Sequence, residues 1–190
     1  MQSDSTLNWD SFSHGQIQSK IWLCEHLEPY VPKKARTAIL GSWYNVMGFM
    51  LLIRQPELYQ LIVGVDIDPA VKPIAEKINN GWIVEKNIIK NITADVNNFN
   101  LQSFNLIINC SPEHMESNQW FENIVPGTTV CIQSSNVVLG DDDVWKCVNP
   151  NRSLEELAAK YPLSTHLFSG TKEIRYSDSG YDRFMLIGIK

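Results

Sequence analysis

Leu61-Ile62-Val63-Gly64-Val65-Asp66 is a β-branched run that stops on a carboxylate, and Ile67-Asp68-Pro69 then turns the chain toward a helix running to about Asn79. Ala35 to Leu40, ending at Gly41, has the same form, and Val46 to Ile53 reads as the helix behind it. Ile88 to Ala94 is a third strand, stopping at Asp95. Phe104 to Ile108 is a fourth, closed by Asn109, with a helix expected from about Pro112 to Asn123. Pro126-Gly127 turns into a fifth strand, Thr128 to Gln133.

Short strands alternating with helices must run parallel with right-handed crossovers, because a hairpin cannot join them. Ahead of them, Ser13 to Tyr30 carries apolar residues at helical spacing, with Ser13 placed to cap and Pro29 and Pro32 to stop it. Behind them, Ser153 to Tyr161 opens on a capping box, Ser153 with Glu156. Thr165 to Ile174 and Arg183 to Ile189, joined through Tyr176-Ser177-Asp178-Ser179-Gly180, form a closing hairpin. The expectation is an α/β, Rossmann-like, doubly wound and mostly parallel seven-stranded sheet with a C-terminal antiparallel hairpin and an N-terminal helix. One domain is expected over 1–190, divided into an N-terminal helical segment, 1–34, and a core, 35–190.

Composition narrows the function. The 190 residues are 44% hydrophobic, enough for one sizeable core. The longest apolar run, Gly48 to Ile53, is far below the roughly 20 residues of a membrane span. The polar start, Met1 to Thr6, is unlike a secretory signal, so the mature chain is expected to begin there, in the cytoplasm. A net charge of −5 argues against a nucleic-acid partner; Lys33-Lys34-Ala35-Arg36 reads as a solvated loop. The four cysteines have no Cys-x-x-Cys, and three of them sit in surroundings that suit buried free thiols. Trp9, Phe12, Trp22, Trp82, Trp120 and Trp145 are core or lid candidates.

In doubly wound sheets ligands bind at the carboxyl ends of the strands, near the switch in strand order. Gly41, Asp66, Asp95 and Asn109 all fall there. Gly41 suits a close backbone approach, although Trp43 and Tyr44 crowd the loop and an ordinary tight turn reads equally well. Asp66 is placed to accept from a pair of ribose hydroxyls and Asp68 to cap the next helix. Asp95 can accept from an exocyclic amine while Val96 covers the ring, or be a plain loop carboxylate. The closely spaced glycines of a dinucleotide loop are missing, which weakens an NAD-dependent oxidoreductase.

Val65-Asp66-Ile67-Asp68-Pro69, Ala94-Asp95-Val96, Phe104-Asn105-Leu106-Ile107-Ile108, Glu113-His114-Met115 and Pro126-Gly127-Thr128 resemble successive motifs of the class I S-adenosylmethionine-dependent methyltransferases. The likeness covers about 36–136, and Gly41-Ser42-Trp43-Tyr44 is similar to the Gly-x-Trp-Tyr first loop of small phage and bacterial members. The resemblance implies S-adenosyl-L-methionine as cofactor and methyl transfer to a small molecule or peptide. Its cofactor contacts fall on Gly41, Trp43, Tyr44, Asp66, Ile67, Asp95, Val96 and Asn109, and the N-terminal segment adds Gln16 and Lys20 for the methionine carboxylate and amine. Lys20 can equally belong to a solvated helix face.

Asn109, Glu113 and His114 are the candidate catalytic residues, His114 as base and Glu113 orienting it or binding an amine; a pair that merely caps and packs is the alternative. The Glu-His pair is similar to that of metal-dependent O-methyltransferases, but their extra Glu is Cys110 here, and no metal is expected. Residues 134–160, with Asp141-Asp142-Asp143, are a candidate cover. The other reading is a cofactor-binding or partner-binding module without methyl transfer, marked by the atypical first loop.

Overall fold

The computed structural model describes residues 6–137 and 147–190; Asp141-Asp142-Asp143 and Trp145, part of the expected cover, lie outside them. The chain runs α1 (His14–Leu27), β1 (Ala35–Leu40), α2 (Val46–Arg54), β2 (Tyr59–Asp66), α3 (Val71–Ile78), α4 (Asn80–Val84) and β3 (Ile89–Thr93). It continues through β4 (Leu106–Asn109), α5 (Gln119–Glu122), β5 (Thr129–Ser135), α6 (Leu154–Lys160), β6 (Thr165–Arg175) and β7 (Gly180–Ile189).

All seven strands join one sheet in the order β3-β2-β1-β4-β5-β7-β6. The first five pair in parallel, and β7 pairs antiparallel with both β5 and β6. From β1 the chain winds outward through β2 to β3 and then returns to lay β4 on the other side of β1, so the switch point is the β1–β4 seam. The expected doubly wound sheet with its closing hairpin is therefore present.

Period-two alternation divides the strand residues between two cores. Ala38, Leu40, Val63, Val65, Ile107, Val130, Ile132, Phe184 and Leu186 face one side, with Trp120 and Phe121 of α5 and Leu157 of α6. Ile39, Ile62, Leu106, Ile108, Cys131, Met185 and Ile187 face the other, with Trp22, Leu23 and Leu27 of α1 and Met47, Leu51 and Leu52 of α2. Trp22 and Trp120 are thus core, Trp82 is partly buried against the second cluster, and Trp9 and Phe12 stay exposed. Among the described residues no helix is long and apolar enough to cross a membrane.

Three local expectations need correction. The helix foreseen over Pro112 to Asn123 is a single 3-10 turn, Pro112–His114, followed by the one-turn α5. The break falls after His114, where Met115 is extended (φ −101°, ψ 124°) and Ser117-Asn118 leads into α5. Ser13 stands at the start of α1 but makes no side-chain capping bond. In the capping box, Ser153 Oγ accepts from Glu156 N–H at 3.2 Å as expected, but the Glu156 carboxylate returns to Arg152 N–H at 2.8 Å, one residue early.

Candidate functional site

The loop after β1 is drawn onto the end of β2. Ser42 N–H donates to Val65 O at 3.0 Å, and Trp43 N–H donates to Asp66 Oδ2 at 2.7 Å. The other Asp66 oxygen accepts from Asp68 N–H at 3.1 Å. Burial pushes the Asp66 carboxyl up from its ordinary value while these backbone bonds pull it back. Each oxygen keeps a further lone pair, so the carboxylate at the rim is held in place with accepting capacity to spare. Asp68 accepts from Ala70 N–H at 2.8 Å, a local turn ahead of α3; the N-cap position is Ala70 and no side chain caps the helix, so Asp68 is not the cap its spacing suggested.

The loop itself is tightly wound: Gly41, Trp43 and Asn45 have φ of 59°, 49° and 53°. At Gly41 a Cβ would lie 2.5 Å from Ser111 Oγ and 3.0 Å from Met115 Cε, so a larger residue would have to displace both side chains, and the left-handed φ adds to the preference for glycine. Asn45 tolerates the left-handed region, whereas Trp43 stores strain there of about 1 to 3 kcal/mol. The two loop aromatics part company. Tyr44 is buried between α2 and α3, its hydroxyl accepting from Asn8 N–H at 3.1 Å, which removes its ring from the rim. Trp43 remains half-buried, its ring 5.1 Å from that of Tyr44.

Asn45 was not singled out from sequence. It caps α2 by accepting from Gly48 N–H at 3.2 Å and donates from Nδ2 to Asn91 Oδ1 at 2.9 Å. The signal was Gly64: a side chain there would strike Asn45 and Ser42, so a glycine inside a β-branched strand marks the room this loop needs.

Along the rim, Ile67 follows Asp66 and is 70% exposed, an apolar surface beside the carboxylate. Asp95 closes a local turn, Oδ1 accepting from Asn97 N–H at 2.9 Å and Oδ2 from the Asn98 amide at 2.9 Å, while Val96 is buried in the core beneath. Asn109 is fully buried; its Nδ2 lies 3.3 Å from Met115 Sδ, and Ser111 Oγ donates to Gly41 O at 3.2 Å. Asn109 therefore shapes the loop after β4 and ties it, across the switch point, to the loop after β1.

On α1, Lys20 Nζ donates to Gln16 Oε1 at 2.6 Å. Burial lowers its pKa to about 8; Cys110 nearby pulls it back up and Arg183 adds to the lowering. An ammonium placed among neutral acceptors beside the β4 loop is suited to meeting an anionic group. Burial pushes the Cys110 thiol up to about 11, which keeps it protonated and a poor nucleophile.

Glu113 and His114 diverge. His114 is exposed, whereas Glu113 is 3% exposed and its carboxylate is committed. Glu113 Oε1 meets Arg183 Nη1 at 3.3 Å, Ser134 Oγ donates to Oε2 at 3.1 Å, and Arg183 Nε donates to Ser19 Oγ at 3.1 Å. Asn151 completes the node by donating to Ser134 Oγ at 2.8 Å. The carboxylate foreseen as orienting His114 thus fastens the β4 loop to β5, β7 and α1. An arginine at the head of an apolar β-run was the available signal for its partner.

No protein-family model matches the chain. Over 74 residues it is 32% identical to an acyl-coenzyme A oxidase of Saccharomyces cerevisiae, a match covering 37% of this chain; the chain spans 10% of that relative's length. Among solved structures it is similar to magnesium protoporphyrin IX methyltransferase from Synechocystis PCC 6803 with bound SAH, with a TM-score of 0.65 at 10% identity, over 98% of this chain and 90% of that one. The N-methyltransferase NodS from Bradyrhizobium japonicum WM9 gives a TM-score of 0.67 at 12% identity, over 95% and 99% of the two chains. The YcgJ protein from Bacillus subtilis gives 0.65 at 13%, over 92% and 98%. These likenesses show that the chain shares its fold with proteins that include methyltransferases.

Proposed function

We propose that the protein is an S-adenosyl-L-methionine-dependent methyltransferase acting on a small molecule or peptide. The observation that carries the reading is the Asp66 carboxylate, set at the end of β2, steadied by two backbone N–H groups and flanked by exposed Ile67. A ribose offers two hydroxyl donors to such a carboxylate, and an adenine ring can lie against Ile67 with its exocyclic amine toward Asp95. Val96, buried in the core beside Asp95, supports that end of the rim from below. Lys20 and Gln16 are suited to the carboxylate of the methionine portion. The similar Synechocystis enzyme was solved with SAM bound as well as with SAH, which supports the same cofactor here.

The bound cofactor supplies an electrophilic methyl group on a sulfonium. The chain's task is to align an acceptor and to take a proton where the acceptor carries one. His114, exposed on the β4 loop, is the candidate base for the proton. Gly41, the Trp43 backbone and Asn109 hold the two loops in register, and Glu113 holds the β4 loop from behind. With a net charge of −5, nucleic acid is not the expected partner.

A second reading has one observation in its favour: Ser111 and Met115 close over Gly41, where a glycine-rich loop would leave backbone open. A cofactor-binding module without methyl transfer would also look so. Calorimetry with S-adenosylmethionine, its demethylated product and NAD separates the readings: the first two bind and NAD does not. Turnover with an acceptor favours the enzyme, binding without turnover across a broad acceptor screen favours the module, and binding of none of them overturns both.

A further inference from the structure

β5 ends on Gln133-Ser134-Ser135, and all three side chains are buried, together with Ser19 of α1, Glu113 and Arg183. Polar groups buried at a strand end cost free energy unless they are paired, so what each one holds shows what the cluster is for. Arg183 lies opposite Ser135 in the β5–β7 register and is 5% exposed. Its guanidinium serves two elements at once. Nε donates to Ser19 Oγ at 3.1 Å on α1, and Nη1 donates to Glu113 Oε1 at 3.3 Å on the turn after β4. A planar fork fixes both partners in one orientation, which a lysine on its flexible stem does not do.

Ser19 is a fixed point on α1. Its Oγ donates to Gly15 O at 2.6 Å and its carbonyl accepts from Gln133 Nε2 at 3.1 Å, so the helix is bonded to two strands of the sheet, β5 and β7. Lys20 is the next residue, and Gln16 lies one turn back, its Oε1 accepting from Lys20 Nζ at 2.6 Å. The bracing therefore falls on the turn of helix that carries the two residues suited to the methionine carboxylate.

Glu113 is held as firmly. Ser134 Oγ donates to Oε2 at 3.1 Å, Ser135 Oγ to Oε1 at 3.5 Å, and the Glu113 carbonyl accepts from Asn149 N–H at 3.0 Å. Two residues earlier Ser111 Oγ reaches Gly41 O at 3.2 Å, and the loop that Gly41 opens gives its Trp43 N–H to Asp66. Arg183 thus links the two ends of the candidate cofactor site, Lys20 with Gln16 on one side and, through the loops, Asp66 on the other. A ligand that must meet both ends binds best when their separation is set before it arrives. Arg183 from β7, Asp10 from the turn ahead of α1, Cys110 after β4 and Cys24 on α1 all face Lys20. Burial keeps both thiols protonated, so the charge among them is that of Arg183 and Asp10.

We propose that Arg183 is a positioning residue for the cofactor, holding α1, with Gln16 and Lys20, in register with the β4 loop through Ser19 and Glu113, a role that rests on the methyltransferase reading above. The guanidinium sets the spacing of groups that it does not itself bond, and its charge opposes the Lys20 ammonium.

The test reads S-adenosylhomocysteine affinity of the full chain by calorimetry from about pH 6 to about pH 10, with urea midpoints measured alongside. Wild type is titrated first. Arg183→Met combined with Glu113→Leu removes the brace and leaves no unpaired charge buried, so the fold is expected to persist. At about pH 7, with Lys20 charged, this double variant is expected to bind about 5-fold more weakly than wild type. Its fall in affinity with pH, expected near 8 in wild type, moves to higher pH because a positive charge facing Lys20 is gone. Arg183→Lys keeps the charge without the fork, and is expected to bind about 3-fold more weakly with the pH step still near 8. Wild-type affinity in either variant, or an unmoved pH step in the double variant, leaves Arg183 a structural brace only and overturns the proposal. Where the double variant shows no urea transition, the affinity of Arg183→Lys decides. Absence of binding to wild type overturns the methyltransferase reading, and this role with it.

Discussion

Asp66 and Glu113 are both carboxylates at the rim of one sheet, and they fare in opposite ways. Asp66 is half-buried, accepts from backbone N–H groups and has no ion-pair partner among the described residues. Glu113 is buried against Arg183, two serine hydroxyls and the residues that surround them. A carboxylate steadied only by backbone retains lone pairs for a ligand. One that meets a guanidinium in the interior has spent its capacity on holding the loop. Position at a strand end therefore nominates a residue, and its partners decide what it does.

The largest expected effect tests the structural side of this contrast. Glu113→Ala leaves the Arg183 charge buried without its partner and is expected to cost about 3 to 5 kcal/mol of stability, read from the urea midpoint. Pairing Glu113→Leu with Arg183→Met should recover most of that loss; if Glu113→Ala unfolds at the wild-type midpoint, Glu113 is free and the contrast fails. Asp66→Ala should instead act on binding, lowering S-adenosylhomocysteine affinity by about 1 to 3 kcal/mol in calorimetry. Unchanged affinity would take Asp66 out of the site.

Lys20 gives a smaller, pH-dependent effect. Its ammonium, lowered to about 8, is charged below that pH and neutral above it, so affinity for the cofactor carboxylate should fall as pH rises through about 8. Lys20→Met should lose about 0.5 to 1 kcal/mol of affinity below pH 8 and flatten the step. A step of equal size in the variant would assign it to the ligand's own amine. His114→Ala should change stability by no more than about 0.5 kcal/mol, since the side chain is exposed. Turnover should slow while cofactor binding stays near wild type, and wild-type rates would retire His114 as a base.

Much of this architecture is legible in residue order. Val63, Val65, Ile107 and Val130 alternate with Ile62, Leu106, Ile108 and Cys131 across the sheet, and the breaks at Gly41, Asp66 and Asn109 mark the rim. Less legible was whatever depends on partners distant in the chain. Tyr44 follows Trp43 directly, yet Asn8 and α3 draw it inward, away from the rim. Ser111-Pro112-Glu113 reads as the start of a longer helix, but it makes a single 3-10 turn in which Glu113 is tied to Arg183 from a distant strand. The Tyr176–Tyr181 pair is separated by a turn whose residues announce a hairpin and nothing more.

The sequence by itself determined the strand count, the parallel winding and the closing hairpin, and it nominated the rim as the place for a ligand. Those follow from period, punctuation and the handedness of crossovers, which are local or nearly so. Only the tertiary structure decided which rim side chains remain available, because availability depends on hydrogen bonds and ion pairs made across 23 residues from Trp43 to Asp66 and 70 residues from Glu113 to Arg183. Those partners meet only when the sheet has closed, and the desolvation that accompanies their meeting separates a carboxylate with acceptors to spare from one that builds.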